Sequence, residues 1–138
     1  MAVVDYKVAG SIEEAVSLLA NAKMATRILA GGTDLIIQTK PQANSVAVID
    51  IKKIDSMMTA TLDDSGLTLG PSMSCSEFTA RNDIKQVFPG LVEAAYLIGS
   101  TQVQGRCSVG GNLCNARRRY NSRLDCERCP MRDCWLER

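Results

Sequence analysis

Apolar residues in the first fifty positions follow two patterns. Ile12, Ala15, Val16, Leu18 and Leu19 recur at helical spacing behind Ser11-Ile-Glu-Glu14. That tetrapeptide is a capping box: the serine oxygen accepts from an early helical amide and Glu14 reaches back to the cap. The other pattern is the short unbroken run. Arg27-Ile-Leu-Ala30 and Val46-Ala-Val-Ile49 both read as buried strands, and Asp34 to Thr39 between them reads as a short helix after the break at Gly31-Gly32. The segment therefore predicts a strand-helix-strand-helix-strand unit with a parallel sheet.

Beyond Ile54 the pattern changes, and a second subdomain is expected to begin there. Met57 to Leu62 and Leu67 to Gly70 read as two strands joined by Asp63-Asp64-Ser65-Gly66, whose polar residues and glycine suit a tight turn. A second capping box, Ser74-Cys-Ser-Glu77, opens another helix. Pro89-Gly90 precedes a helix from Leu91 to about Ile98, and Gly99 to Leu113 is glycine-rich again. Met57, Met58 and the aliphatic face of the first helix are expected in the core. There is no internal repeat and no low-complexity linker.

With 138 residues, 46% hydrophobic and 22% charged, the chain has the composition of a soluble globular protein of one domain or a little less. A formal charge of +1 supplies no overall field for nucleic acid or an anionic membrane, and only the arginine-rich tail from Arg117 is locally basic. No apolar stretch reaches the ~18 residues of a membrane span, and the N-terminus has no signal-peptide pattern, so a cytoplasmic protein is expected. The sequence contains no histidine, which excludes imidazole-activated nucleophiles and histidine-ligated zinc.

Two glycine segments carry the candidate chemistry. In Ala30-Gly-Gly-Thr-Asp-Leu35, absent Cβ atoms allow a sharp turn and close approach of a ligand to main-chain amides. Thr33 adds a hydroxyl, and the start of the next helix favours negative charge, so the place suits a phosphate or pyrophosphate. A plain strand-to-helix turn capped by Thr33 or Asp34 is the competing reading. Ser108-Val-Gly-Gly-Asn-Leu113 repeats the combination of hydroxyl, paired glycines and side-chain amide. Neither segment has the spacing of the Rossmann fingerprint or of a phosphate-binding P-loop. Together they could clamp a dinucleotide from two sides.

Ile28-Leu-Ala-Gly-Gly-Thr-Asp-Leu35, Val48-Ile-Asp-Ile51, Pro89-Gly-Leu-Val-Glu-Ala-Ala95 and Gln102-Val103 followed by Ser108-Val-Gly-Gly-Asn-Leu113 resemble the FAD-binding domain of the xanthine dehydrogenase and carbon monoxide dehydrogenase flavoprotein family. The pieces stand in the family's order over roughly residues 1 to 116. The resemblance implies an α+β fold of the vanillyl-alcohol-oxidase (PCMH) type, with FAD between a small α/β subdomain (1–53) and a second sheet subdomain (54–116). It implies that Ala30, Gly31, Gly32, Thr33, Asp34 and Leu35 hold the FAD pyrophosphate, with Ile28 and Leu29 also cofactor-binding, and that Gly99, Ser108, Gly110, Gly111 and Asn112 contact the cofactor. No catalytic residue is expected in the chain. The implied role is electron transfer in a hetero-oligomer with a molybdopterin-binding large subunit and a 2Fe-2S small subunit. Family members continue well past the second segment, so the second subdomain is expected to be incomplete. Where they place an aspartate contacting the flavin's sugar chain, this chain has Arg117 to Asn121.

The tail (117–138) adds Cys126-Glu-Arg-Cys129 and Cys134. Two thiolates two residues apart can meet one metal or cluster, with Cys114 or Cys107 as a further ligand, and thiolate-only ligation restricts the choice to zinc or iron-sulfur. Free thiols in a frayed terminus are the bland alternative. Arg119-Tyr-Asn-Ser122 is similar to the start of the insertion that carries an extra 4Fe-4S cluster in flavoprotein subunits of the 4-hydroxybenzoyl-CoA reductase type, although an arginine stands where those proteins have their first cysteine. Cys75 is expected to be a small buried apolar residue. The functional alternative is a truncated or degenerate flavin domain serving as a non-enzymatic Cys-metal assembly module.

Overall fold

The computed structural model describes residues 3–39 and 46–115. β1 (Val3–Val8), α1 (Ile12–Ala20), β2 (Thr26–Leu29), α2 (Leu35–Thr39) and β3 (Val46–Asp50) come first. The three strands form a parallel sheet in the order β1-β3-β2. β3 is central and buried at all five positions, which is why its sequence is a continuous apolar run with no alternation.

β2 differs from the expected buried strand. Among the described residues it pairs with β3 alone, and its central residues Arg27 and Ile28 are exposed, Ile28 at 49%. A short apolar run does not distinguish a central strand from an edge strand, because the run carries no information on how many strands flank it or what covers its faces. α1 also buries less than its periodicity suggests. Ala15 is buried and Leu18 and Leu19 pack against Ile49, Ile51 and Ile54, whereas Ile12 and Val16 are exposed. Ser11 Oγ accepts from the Glu14 amide at 3.1 Å, but the Glu14 carboxylate accepts from the amide of Gly10, one residue before the cap, at 2.8 Å.

The expected strand from Met57 is shorter. Met57 and Met58 end a helical turn, α3 (Asp55–Met58), and β4 (Ala60–Asp63) starts after it. β4 pairs antiparallel with β5 (Gly66–Leu69) across a two-residue turn. Asp63 Oδ1 accepts from the Ser65 amide at 2.9 Å, and Gly66 takes φ 129°, a value that favours glycine. α4 (Cys75–Thr79), α5 (Asn82–Val87), α6 (Pro89–Tyr96), α7 (Thr101–Gln104) and α8 (Val109–Cys114) follow. α4 has the capping box read from Ser74 and Glu77. α6 starts two residues before the expected Leu91 because Pro89, with its preset φ and no N–H to satisfy, occupies the first turn.

Burial falls into two clusters. Ala9, Ala15, Ile49, Ile51 and Ile54 form one, with Leu18, Leu19 and Met57 packed on it. Met73, Cys75, Phe78, Ile84, Val92, Ala95, Ile98, Cys107 and Val109 form the other, with Ala60, Leu67 and Leu69 of the hairpin against it. Arg81 ties hairpin to helices by donating from Nη1 to the Ala60 carbonyl at 2.9 Å while its Nε and Nη2 hold Asp83.

Phe78 is the largest fully buried side chain. Phe78→Ala is expected to lower unfolding stability by about 3–5 kcal/mol through lost burial and a residual cavity. Val16→Ala, at an exposed position of α1, is expected to change it by no more than about 0.5 kcal/mol. Urea unfolding of the two variants followed by circular dichroism checks the contrast.

Candidate functional site

Parallel pairing sends the C-terminal ends of β1, β3 and β2 to one edge of the sheet, the edge at which open α/β sheets usually receive ligands. Leu29 ends β2 there and the chain turns through Ala30, Gly31, Gly32, Thr33 and Asp34 into α2. A Cβ on Gly31 would lie 2.0 Å from the Arg106 carbonyl oxygen and 2.9 Å from Cys107 Cα. Only glycine fits, because both neighbours are backbone. Gly32 has φ 83°, so it is strained for any other residue, and a Cβ there would also meet Leu29 Cδ1 at 2.8 Å.

The Gly32 and Asp34 carbonyls accept from the amides of Ile36 and Gln38. The amides of Gly31, Gly32 and Thr33 find no acceptor among the described residues. Unpaired main-chain donors in a half-buried turn call for a partner, whether water or ligand. The arrangement offers three neutral donors, with the Asp34 carboxylate beside them engaged by Asn115.

Gly31 packs against the residues that lead into Ser108, so the fold brings the two glycine segments together. Asn115, at the end of α8, makes a second link: its Nδ2 donates to Asp34 Oδ2 at 3.0 Å, and its Oδ1 accepts from Gln38 Nε2 at 3.4 Å. No sequence pattern marked Arg106 or Asn115, since one acts through its carbonyl and the other is a lone asparagine at a helix end.

The second segment is a helix start rather than an open loop. Ser108 is the N-cap of α8, its Oγ accepting from the Gly111 amide at 3.2 Å. Asn112 Nδ2 donates to the Ser108 carbonyl at 2.8 Å, and both residues are buried. Gly110 and Gly111 therefore lie in the first turn of the helix. A Cβ on Gly110 would sit 2.5 Å from Pro71 Cβ, so that glycine admits close packing of the Pro71 segment. Next to Pro71, the buried Ser72 hydroxyl has no hydrogen-bond partner among the described residues. Gly99 lies in the exposed turn after α6 at φ 62°, where a Cβ would meet Val103.

At the same sheet edge Asp50 is fully engaged. Its Oδ2 accepts from the Tyr6 hydroxyl at 2.5 Å and from Lys52 Nζ at 2.7 Å, and its Oδ1 accepts from the Lys52 amide at 2.9 Å. Burial pushes the carboxyl up, but the hydrogen bonds from Lys52 and Tyr6 outweigh it, and the net shift is downward. The Tyr6 phenol is raised, first by its hydrogen bond to Asp50 and then by desolvation and the carboxylate's charge. Asp50 is thus held ionised as an anchor of the turn after β3. The motif Val48-Ile-Asp-Ile51 contained this residue, but no local pattern marks Tyr6 and Lys52 as its partners.

Cys75 and Cys107 are buried and Cys114 is exposed. Cys126, Cys129 and Cys134, with Arg117 to Arg119, Asp125 and Trp135, lie outside the described residues. No group of three or more metal-ligating side chains occurs among the described residues, and none of their helices is long and apolar enough to cross a membrane.

A family model, the FAD binding domain in molybdopterin dehydrogenase, matches residues 2–123. The 6-hydroxypseudooxynicotine dehydrogenase complex subunit alpha of Paenarthrobacter nicotinovorans is 30% identical over 113 residues, 81% of this chain and 38% of the relative. The xanthine dehydrogenase FAD-binding subunit of Escherichia coli O157:H7 is 30% identical over 112 residues, 80% of this chain and 38% of the relative. Among solved structures, carbon monoxide dehydrogenase from Hydrogenophaga pseudoflava superposes with a TM-score of 0.73 at 28% identity, covering 79% of this chain and 38% of that one. Carbon monoxide dehydrogenase from Oligotropha carboxidovorans gives 0.75 at 25% identity, covering 80% and 39%. The chain thus spans 38% of the length of these two curated relatives, and its mixed helix-and-strand fold is that of the carbon monoxide dehydrogenase chains it matches.

The Asp50 cluster generates a pH dependence. An aspartate in the unfolded chain titrates near ~3.9 and Asp50 in the folded chain titrates lower, so the unfolded state binds its proton more tightly. The stabilisation is fully present above about pH 3.9 and is lost as pH falls through the lower folded-state value. Asp50→Asn is expected to destabilise the chain at pH 7 and to flatten the loss of stability below about pH 4 relative to the parent. Urea midpoints measured from pH 7 down to pH 3 test this, and an unchanged slope would contradict it.

Proposed function

The chain belongs to the family of FAD-binding domains in molybdopterin dehydrogenases, and from that premise we propose that it grips the diphosphate of FAD within the flavoprotein component of a multisubunit oxidoreductase. The observation that carries the reading is the set of three main-chain amides at Gly31, Gly32 and Thr33, without acceptors among the described residues, on a turn where two glycines are sterically required. Neutral, fold-fixed donors suit a phosphate oxygen, because they need no reorganisation when the anion arrives. The residues present therefore fit the cofactor. The unpartnered Ser72 hydroxyl near Gly110 leaves a further polar group for the neighbourhood of the second segment.

Bound FAD would supply the one- and two-electron redox chemistry, and the protein would supply position and electrostatics. Ile28 to Leu35 form the proposed diphosphate side. Ser108, Gly110, Gly111 and Asn112 form the opposing side, where Ser108 and Asn112 fix the start of α8, and Gly99 contributes from the turn after α6. The corresponding architecture is a PCMH-type pair of subdomains, 1–53 and 54–116, followed by a tail from residue 117. In this reading the flavin relays electrons between iron-sulfur centres and an external partner, in a cytoplasmic hetero-oligomer with molybdopterin and 2Fe-2S subunits. A 4Fe-4S cluster, or zinc in its place, on Cys114, Cys126, Cys129 and Cys134 rests on the spacing of the tail cysteines and on the exposure of Cys114. The assembly-module alternative has no supporting feature of its own among the described residues.

The chain prepared anaerobically with its native partners is expected to contain flavin. Thr33→Asp puts negative charge among the three amides without disturbing either glycine. It is expected to weaken FAD binding at least tenfold, about 1.4 kcal/mol, in fluorescence titrations, while riboflavin, which lacks the diphosphate, distinguishes little between parent and variant. Equal FAD affinity in the two proteins, or a native preparation free of flavin, would falsify the diphosphate grip. Iron and acid-labile sulfide beyond what the 2Fe-2S subunit contributes are expected in the same preparation, and that excess is expected to be lost in Cys126→Ser; zinc without the excess sulfide would replace the cluster in this account.

A further inference from the structure

The proposed flavin site leaves two buried thiols unused. Cys75 opens α4 and Cys107 directly precedes the N-cap of α8. An isolated antiparallel bridge between Ser74 and Ser108 sets positions 75 and 107 opposite each other, and the Cys75 amide donates to the Cys107 carbonyl at 2.8 Å. Opposed residues in such a pairing have Cα atoms about 4.5–5.5 Å apart, within the range of roughly 4.4–6.8 Å that a disulfide spans. Both side chains enter the same cluster, at 0% and 1% exposure, among Met73, Phe78, Ile84 and Val109.

We propose that Cys75 and Cys107 are a reversible dithiol-disulfide pair, a modification site oxidised by a peroxide. Cys107 is the attacking sulfur. The hydrogen bond from the Cys75 thiol favours its thiolate, while burial opposes it; Cys75 is raised by the same hydrogen bond and by burial. The Cys107 thiolate attacks one peroxide oxygen and the O–O bond breaks, leaving a sulfenic acid and a hydroxide that takes up the thiol's proton as water. Cys75 sulfur then attacks Cys107 sulfur. The S–S bond forms, the S–O bond breaks, and the hydroxyl leaves with the Cys75 proton as a second water. Two electrons pass from the two sulfurs to one peroxide. Hydrogen peroxide is small enough to reach the pair through local opening at Gly105 and Arg106, which are exposed beside Cys107.

The site lies where a crosslink has consequences. Gly31 packs on the Arg106 carbonyl and Cys107 Cα, so the disulfide would fasten to α4 the backbone that supports the first glycine turn. It would also close the segment 76–106, which holds α5, α6 and α7. Reversible pairs of this kind are the usual form of disulfide in reducing compartments. None of this depends on a flavin being bound.

The test uses the reduced full chain, treated with increasing hydrogen peroxide, alkylated, unfolded without reductant and mapped by mass spectrometry. A peptide linking Cys75 to Cys107 that disappears with dithiothreitol is the expected result. In Cys75→Ser, a sulfenic acid at Cys107 trapped by dimedone is expected instead. The inference is overturned if both thiols alkylate freely after unfolding at peroxide levels that oxidise exposed Cys114, or if Cys107 is joined to Cys114 or a tail cysteine. Mapping of the parent chain decides the matter even where the variant folds poorly.

Discussion

The described structure turns on the meeting of two stretches of backbone at Gly31, with no side chain between them. The Arg106 carbonyl occupies the volume that any Cβ would need. Packed proteins tolerate almost no overlap of this kind, so one missing carbon atom sets how closely the turn after β2 approaches the lead-in to α8. The remaining features of the site follow from that approach. Gly32 turns the backbone into left-handed space, Thr33 and Asp34 are placed at the entry to α2, and Asn115 comes within reach of Asp34. A methyl group at position 31 would act first on the relation between two segments distant in sequence, and only through it on any ligand.

The two buried clusters differ in how completely the described residues cover them. Around α4 to α6 the large side chains Phe78 and Ile84 are fully enclosed. Around the sheet, Tyr6, Val8, Ile12, Val16, Ile28, Ile36 and Ile37 remain exposed beside a β3 buried at every position. The sheet edge is therefore held less by surrounding apolar bulk than by specific bonds. The Asp50 carboxylate, with a phenol from β1 and an ammonium and amide from the following turn, gives that edge a polar clasp. Such a clasp fixes geometry more than it adds net stability, since its bonds must first offset the cost of burying the Asp50 charge.

The sequence carried most of this information where the physics is local. Capping boxes at Ser11 and Ser74, the hairpin turn at Asp63 to Gly66, and the continuous apolar run of β3 each follow from a few neighbouring residues and stand where they were read, save that Glu14 reaches back to Gly10. The errors lie where burial depends on distant chain. Ile28 and Val16 look like core residues by spacing but have too little opposite them among the described residues. Gly110 and Gly111 read as an open turn because adjacent glycines suggest one, and they stand instead in the first turn of α8. Their packing against Pro71 and Ser108 depends on a residue nearly forty positions earlier that no local pattern marks.

A distinction follows about what glycine pairs mean. At Gly31-Gly32 the amides have no acceptor among the described residues, and at Gly110-Gly111 the absent side chains admit neighbouring protein and a helix cap. The same dipeptide thus exposes main-chain donors in one place and admits close packing in the other. The pairing is useful because the roles are complementary. Close packing at α8 and its lead-in fixes the platform on which Gly31 rests, and a rigid platform lets neutral amides bind an anion without the long-range pull of a lysine. A chain with formal charge +1 and no overall field would rely on fixed geometry of this sort rather than on attraction from a distance.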